Sequence, residues 1–239
     1  MSRTSLPEQV SVIEPGESFF FLCHKNVRCF TDCCRELELA LTPYDILRLR
    51  RATGLTSTEL HQRVIIEEQP ADSGFPSFYL TMVDDGKASC VFVTPEGCSI
   101  YADRPGACRT YPLGRGVMKR GTELTEQFVI LKEPHCHGFA EKTVQTVSSF
   151  MQSQEMEPYN RFNDLLADII HHEKIAAGMK LTDDQYRIYR LALFDLDAFR
   201  TQLHEKSIDS PLAVPGQIAD DDEALLEFGM QFVKIYLFD

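Results

Sequence analysis

The 239-residue chain has no apolar run long enough to cross a membrane, and no apolar segment near Met1 that would serve as a signal peptide. Acidic residues outnumber basic ones by 36 to 24, so the net charge of −12 lacks the positive excess that non-specific nucleic-acid binding requires. Hydrophobic residues make up 44% and charged residues 25%, as in ordinary soluble globular proteins. We therefore expect a cytoplasmic protein that binds neither membrane nor nucleic acid.

Cysteine is absent after position 136, and four of the eight thiols fall between positions 23 and 34. The full set is Cys23, Cys29, Cys33, Cys34, Cys90, Cys98, Cys108 and Cys136. A chain of this length buries a sizeable core without disulfides, and clustered thiols in a reducing cytoplasm usually bind metal. We therefore predict that these cysteines are metal ligands rather than disulfide partners.

The spacing of the thiols argues against several known sites. No Cys-x-x-Cys pair occurs, which disfavours a thioredoxin-like motif and a paired-knuckle zinc ribbon. The first cluster fits neither the radical-SAM nor the ferredoxin pattern. Eight thiols match two four-coordinate sites or one multi-iron cluster with spare thiols, so zinc and iron–sulfur both stay open. Cys33 and Cys34 would point different ways in an extended loop, and they either share one ion at the cost of strain or serve different metals.

Positive charge is concentrated around two of these cysteines, although residues 140–239 carry 18 acidic and only 9 basic side chains. Residues 97–122 hold five Lys or Arg against one Asp, interleaved with Cys98 and Cys108. A four-thiolate metal centre has a net charge of about −2, which nearby guanidinium groups would offset. We therefore predict Tyr101, Arg104 and Arg109 as cofactor-binding residues around the metal ligands; the alternative is an ordinary surface loop stabilised by ion pairs.

The histidines give weaker signals. His135 and His137 flank Cys136 and are candidates for ligating metal or for hydrogen-bonding a thiolate, as is His24; the alternative is a solvated turn. His171 and the residues after it lack the second His of a metalloprotease helix. The sequence has no glycine-rich nucleotide fingerprint, and it identifies no catalytic residue.

The pattern of elements predicts an α+β fold, with an irregular Cys-rich metal-binding half at 1–140 and an α-helical half at 141–239. The first half has apolar strands at 18–23 and 127–131, a β-hairpin at 78–83 and 88–93, and helices that start after Thr42 and Thr56. In the second half we predict helices at 142–152, 159–174, 182–206 and 221–236. We expect the helical half to pack on the metal-binding half or to recruit a protein partner.

Several of these segments together resemble a known family. They are residues 29–35 (CFTDCCR), 41–45 (LTPYD), 97–101 (GCSIY) and 104–115 (RPGACRTYPLGR), followed by His135 and Cys136. The combination is similar to the YkgJ-type cysteine-cluster family, whose members are described as zinc- or iron-chelating. The first spacing, from Cys23 to Cys29, is longer than the short name of that family, CxxxCxxCC, implies.

The resemblance implies a metal-binding protein with zinc or an iron–sulfur cluster as its cofactor. The family also includes a bacterial flagellin lysine-N-methylase, so the alternative is an enzyme, a protein methylase or a redox catalyst, in which the metal is chemically active. Kinship of motif does not by itself transfer an activity. From the sequence we therefore expect metal binding by the eight cysteines and leave the physiological process open.

Overall fold

The computed structural model describes residues 7–69, 74–120 and 123–239, which fold as α+β, as the sequence predicts. The helices of this part are α1 (Pro43–Thr53), α2 (Ser57–Arg63), α3 (Gly106–Thr110), α4 (Val147–Ser153), α5 (Glu157–Ile170), α6 (Glu173–Ala176), α7 (Asp183–Phe194), α8 (Leu196–His204) and α9 (Asp222–Phe238). Helices therefore dominate the carboxyl-terminal half. Among the described helices, none has the length and apolar character needed to span a membrane.

The strands of the described part form small antiparallel sheets. They are β1 (Val10–Ile13), β2 (Ser18–Phe20), β3 (Ile65–Glu68), β4 (Ser77–Leu80), β5 (Met82–Val83), β6 (Ser89–Cys90), β7 (Val93–Thr94), β8 (Gly97–Cys98), β9 (Leu113–Arg120), β10 (Glu123–Leu131) and β11 (Val144–Thr146). One sheet has the order β1–β10–β9, and the others are the pairs β2–β11, β3–β4, β5–β6 and β7–β8. Because each pair joins separate parts of the chain, these sheets position the cysteine-bearing segments.

The helix starts predicted at Thr42, Thr56 and Thr182 are confirmed. Each threonine side chain accepts a hydrogen bond from the backbone amide three residues on, which satisfies a donor that a helix start would otherwise leave free. Helix α1 ends at Gly54, whose φ of 67° lies in the left-handed region that favours glycine. These helix boundaries depend on residues that are close together in the chain, so they can be predicted from the sequence.

The strand predictions are only partly correct. The predicted hairpin at 78–83 and 88–93 is limited to β5 and β6, whereas β4 pairs with β3. Phe78 and Leu80 in β4 are buried, so this strand belongs to the core beneath α2. An apolar run indicates a strand but not its partner. The strand predicted at 127–131 is part of β10, and the one predicted at 18–23 shortens to β2, in which Phe20 is exposed.

Three predicted helices are shorter than expected. The helix predicted at 182–206 is broken at Asp195, whose φ of −128° and ψ of 64° are not helical. The helix predicted at 159–174 ends with α5, and the one predicted at 142–152 starts only after β11. Apolar residues continue on both sides of Asp195, so the sequence carries no stop signal there.

One continuous hydrophobic core runs through both halves of the described chain. Helix α1 contacts α5, α7 and α9, and α2 contacts α8. Leu47 of α1 and Phe232 of α9 are both buried in this core. The helical half therefore packs on helices of the Cys-rich half; the division into two domains near residue 140, and the recruitment of a protein partner, stay predictions.

Candidate metal centre

Four cysteines, three from one loop and one from a distant segment, line one surface cavity. Its wall is formed by Phe21, Cys23, Val27, Cys29, Cys33, Tyr111, His135, Cys136 and Gly138. Burial raises the pKa of the Cys23 thiol to about 11, and negative charge on Cys33, Cys29 and Cys136 adds to that rise. The fold therefore brings Cys33 and Cys136, which are far apart in the sequence, to the same cavity.

Backbone hydrogen bonds next to the β2–β11 pair bring Cys23 close to Cys136. The Phe21 amide donates to the Thr143 carbonyl at 3.0 Å, and the Leu22 amide donates to the Gly138 carbonyl at 3.1 Å. These bonds hold Cys23 beside Cys136. A Cβ at Gly138 would lie 2.6 Å from the Phe21 ring, so the close approach requires glycine.

Cys33 and Cys34 lie in a short 3₁₀ turn (Asp32–Cys34) rather than in the extended loop that the sequence suggested. Successive side chains on such a turn diverge by about a third of a revolution, so the two thiols leave the backbone in different directions. Thr31, just before the turn, has a φ of 70°, and its carbonyl accepts a 2.7 Å hydrogen bond from the Arg35 guanidinium. A left-handed threonine costs on the order of 1 kcal/mol or more, which the surrounding contacts must offset.

Cys34 is placed beside Cys90 by backbone pairing. Arg35 forms an antiparallel bridge with Ser89, and the Glu36 amide donates to the Ala88 carbonyl at 2.9 Å. In an antiparallel register the residue before Arg35 faces the residue after Ser89. Backbone pairing therefore brings Cys90 beside Cys34, whereas Cys33 lines the cavity and is also electrostatically coupled to Cys98 and Cys108.

The other three cysteines form a second group. Cys90 lies on β6, Cys98 on β8 and Cys108 on α3. Burial raises the pKa of Cys108 to about 12, and negative charge on Cys90, Cys33 and Cys98 adds to that rise. Burial also raises the pKa of Cys90, and charge on Cys98 contributes. The three thiols are therefore electrostatic neighbours of one another, and Cys33 adjoins them from the first group.

Backbone amides point at several of the sulfur atoms. The His137 amide donates to Cys29 Sγ at 3.1 Å. Cys90 accepts from the amides of Phe92 and Val93, two and three residues further on. Cys98 and Cys136 each accept from the amide two residues on. Such bonds favour the thiolate form that ligates metal, and they could not be predicted from the spacing of the cysteines.

The donor set fits a thiophilic metal, although the thiols are not yet arranged as a coordination shell. Across residues 7–69, 74–120 and 123–239, no three His, Cys, Asp or Glu side chains are grouped so that they could hold a metal ion. The thiols of Cys33 and Cys34 instead hydrogen-bond each other, which with burial raises the pKa of Cys33. All eight cysteines are free thiols. Metal binding therefore requires the thiol side chains to turn toward a shared centre.

Arg104 lies between the two groups of thiols. Only 8% of its surface is exposed, and its guanidinium stacks 3.7 Å from the centre of the Tyr101 ring. Burial raises the pKa of both Cys23 and Cys98, and the charge of Arg104 opposes both rises. Tyr101 itself is 63% exposed. Arg104 was predicted because basic residues alternate with cysteines in this part of the sequence, and its charge is thus coupled electrostatically to both groups of thiols.

The hydrogen bonds that the structure describes for Arg109 go to other parts of the chain and not to the thiols. Its guanidinium donates to the Tyr159 hydroxyl at 3.1 Å, to the Gln154 carbonyl at 2.7 Å and to the Ala102 carbonyl. These bonds join α3 to α5 and to the turn that carries Tyr101. Arg109 therefore holds in place the segment on which Arg104 lies.

Two residues that sequence reasoning missed anchor the cysteines. Asp45 is 3% exposed, and its carboxylate accepts from the Thr42 amide at 2.8 Å and from the Gly106 amide at 2.7 Å. It thereby ties the start of α1 to the start of α3, which carries Cys108. The Tyr111 hydroxyl donates to the Glu133 carboxylate at 2.7 Å, and its closeness to Cys136 lowers the pKa of that thiol against the effect of burial. Both residues lay within the recognised motifs, but only tertiary contacts reveal their roles.

The three histidines occupy different places. His135 lines the cavity, with its Nε2 3.7 Å from Glu133. His137 contributes its backbone amide to Cys29, as described above. His24 lies 3.6 Å from Glu141 and accepts a hydrogen bond from the Asn26 amide on its Nδ1. Ligation by any of them stays a prediction.

A scan against protein families matches residues 22–143 to the CxxCxxCC family, described as a "putative zinc- or iron-chelating domain". The chain belongs to this family. The matched range covers just over half of the 239 residues and contains all eight cysteines, in agreement with the resemblance seen in the motifs. Neither the curated proteins nor the solved structures include a significant match to the chain. The CxxCxxCC description names chelation and metal type but no reaction or process.

Proposed function

We propose that the eight cysteines bind a thiophilic metal, as zinc ions or as iron–sulfur clusters, in two adjoining centres. Centre A comprises Cys23, Cys29, Cys33 and Cys136. Centre B comprises Cys34, Cys90, Cys98 and Cys108. The observation that carries the proposal is that the loop with Cys23, Cys29 and Cys33 and the distant segment with Cys136 line one cavity.

Electrostatics supports a cation at these sites. Thiols that lie this close raise one another's pKa, so ionising several of them together is unfavourable without a positive charge among them. Zinc and iron–sulfur iron both prefer thiolate ligands, and a four-cysteine shell suits either. The amide hydrogen bonds to sulfur would then stabilise the loaded centres.

Arg104 has a defined part in this proposal. Two four-thiolate centres leave a net charge of about −2 each, and one buried guanidinium that is coupled to both offsets part of that charge. Tyr101 and Arg109 keep Arg104 in place, the first by stacking and the second by fixing the adjoining turn. The cofactor-binding role predicted for these three residues is thus direct for Arg104 and indirect for the others.

The enzymatic alternative receives no support from the family description, which speaks of chelation alone. We propose a cytoplasmic location because all eight cysteines are free thiols, which persist in a reducing compartment. Fractionation of producing cells tests this location, and recovery of oxidised protein outside the cytoplasm would contradict it.

The test is elemental analysis of the full chain purified without air. Stoichiometric zinc in colourless protein, or iron and sulfide with visible absorption, is expected. The Cys33→Ser variant should lose the metal of centre A and keep that of centre B, and Cys34→Ser should do the reverse. A wild-type protein free of both metals would refute the proposal. Full metal content in both variants would refute the assignment of the two centres.

A further inference from the structure

The two proposed centres differ in their access to solvent. Cys23 is the exposed one among the eight cysteines, while the other seven are half-buried. It stands at the start of an irregular loop that runs to Cys29 and has no helix or strand to hold it. Lys25 and Arg28 in that loop are both exposed. One ligand of centre A is thus on a solvent-facing segment.

Centre A also has a further donor within reach of the cavity. His135 lines the same cavity as its four cysteines, and 47% of its side chain is exposed. A neutral imidazole is a good zinc ligand. It is therefore placed to hold a metal that has lost one of its four thiolates.

Centre B is fixed from several sides. Cys34 and Cys90 are joined by the Arg35–Ser89 bridge, and Cys98 lies in the tight β7–β8 pair. Cys108 is on α3, whose first amide is held by the buried Asp45. Cys90 and Cys108 pack against the hydrophobic core, as Cys136 of centre A does. No cysteine of centre B is exposed as Cys23 of centre A is, and its cysteines lie on paired or anchored backbone.

We propose that centre A exchanges its metal with thiol ligands in solution, whereas centre B retains its metal. This inference rests on the proposed function. In the exchange, a metal–sulfur bond forms to an incoming thiolate as the bond to Cys23 breaks, and further incoming thiolates then replace Cys29, Cys33 and Cys136 in the same way before the metal leaves. The thiolate of Cys23 then takes up a proton from water, and no electron is transferred. Centre A would deliver or acquire metal, and centre B would hold its metal throughout.

Zinc release from the zinc-loaded full chain tests the inference. Excess 2-mercaptoethanol serves as the competing thiol, and a chromophoric chelator reports the zinc set free. We expect two phases of equal amplitude, the faster from centre A. In Cys23→Ser the fast phase should disappear because centre A is not stably loaded, while the slow phase keeps its rate. In Cys98→Ser the slow phase should disappear and the fast phase should remain.

Circular dichroism of each variant verifies that the described helices still form, and Lys25→Ala gives a control in the same loop that leaves all thiols intact. A single release phase from protein that binds two zinc ions would overturn the inference but not the proposed function. A fast phase that survives Cys23→Ser and is lost in Cys98→Ser would overturn it too. Failure of the wild-type chain to bind stoichiometric zinc or iron would refute the proposed function itself.

Discussion

Replacement of Asp45 by alanine should destabilise the protein far more than loss of an ordinary helix cap. The carboxylate accepts two backbone hydrogen bonds and one from the Thr42 hydroxyl. Loss of a helix cap costs about 1 kcal/mol. The Gly106 amide would in addition be left buried without a partner, at a cost of about 1–3 kcal/mol. We therefore expect Asp45→Ala to lower the free energy of unfolding by about 3 kcal/mol.

The matched control is Asp221→Ala at the start of α9. Asp221 caps that helix by accepting from two amides, but it is exposed and ties no second element. Its loss should cost about 1 kcal/mol. Urea unfolding of both variants at one fixed free zinc concentration measures the difference, because metal binding itself adds to stability. Equal losses in the two variants would refute the argument that Asp45 joins α1 to α3.

The remaining predictions concern the ligands' neighbours and one ion pair. Tyr111→Phe removes the hydroxyl that lowers the pKa of Cys136, together with its hydrogen bond to Glu133, and should weaken zinc binding at centre A about 10-fold, measured by chelator competition. Arg104→Gln should weaken zinc binding at both centres, and Arg104→Lys, which keeps the charge, should weaken it less. Burial raises the pKa of Asp197, but bonds from Arg50 outweigh this and lower it. The stabilisation that the Asp197 carboxylate contributes is therefore fully present at pH values above the ordinary pKa of Asp. It is lost as the pH falls through the lowered pKa of this carboxyl in the folded protein. Asp197→Asn should cost about 1–2 kcal/mol at pH 7 and about nothing near pH 2, by urea unfolding; a constant difference would contradict this.

Local features of the fold were predictable from the sequence. Thr42, Thr56 and Thr182 start helices because their side chains satisfy amides only three residues away. The α+β class followed from apolar periodicity in the second half and short apolar runs in the first. Each of these signals acts within about one helical turn, so no knowledge of distant segments was needed.

Strand pairing was not predictable to the same degree. Strand β9 has the sequence LGRGVMKR, whose glycines and cations do not indicate a strand. It forms because β10 pairs along its length and because Arg115 and Lys119 pair with Asp164 and Asp168 on α5. The two ion pairs to α5 join residues that are 49 positions apart, so the local pattern of residues does not indicate them.

The eight candidate ligands were predicted from the sequence, but the two centres that we propose for them were not. The dipeptide at Cys33 and Cys34 shows why. Its two residues are adjacent in the chain, yet the pairing at Gly138 brings Cys136 near the first and the bridge at Ser89 brings Cys90 near the second. These two contacts are independent of each other along the chain. A tight turn between them is therefore able to supply one ligand to each centre, which keeps the centres adjoining while their exposure to solvent differs.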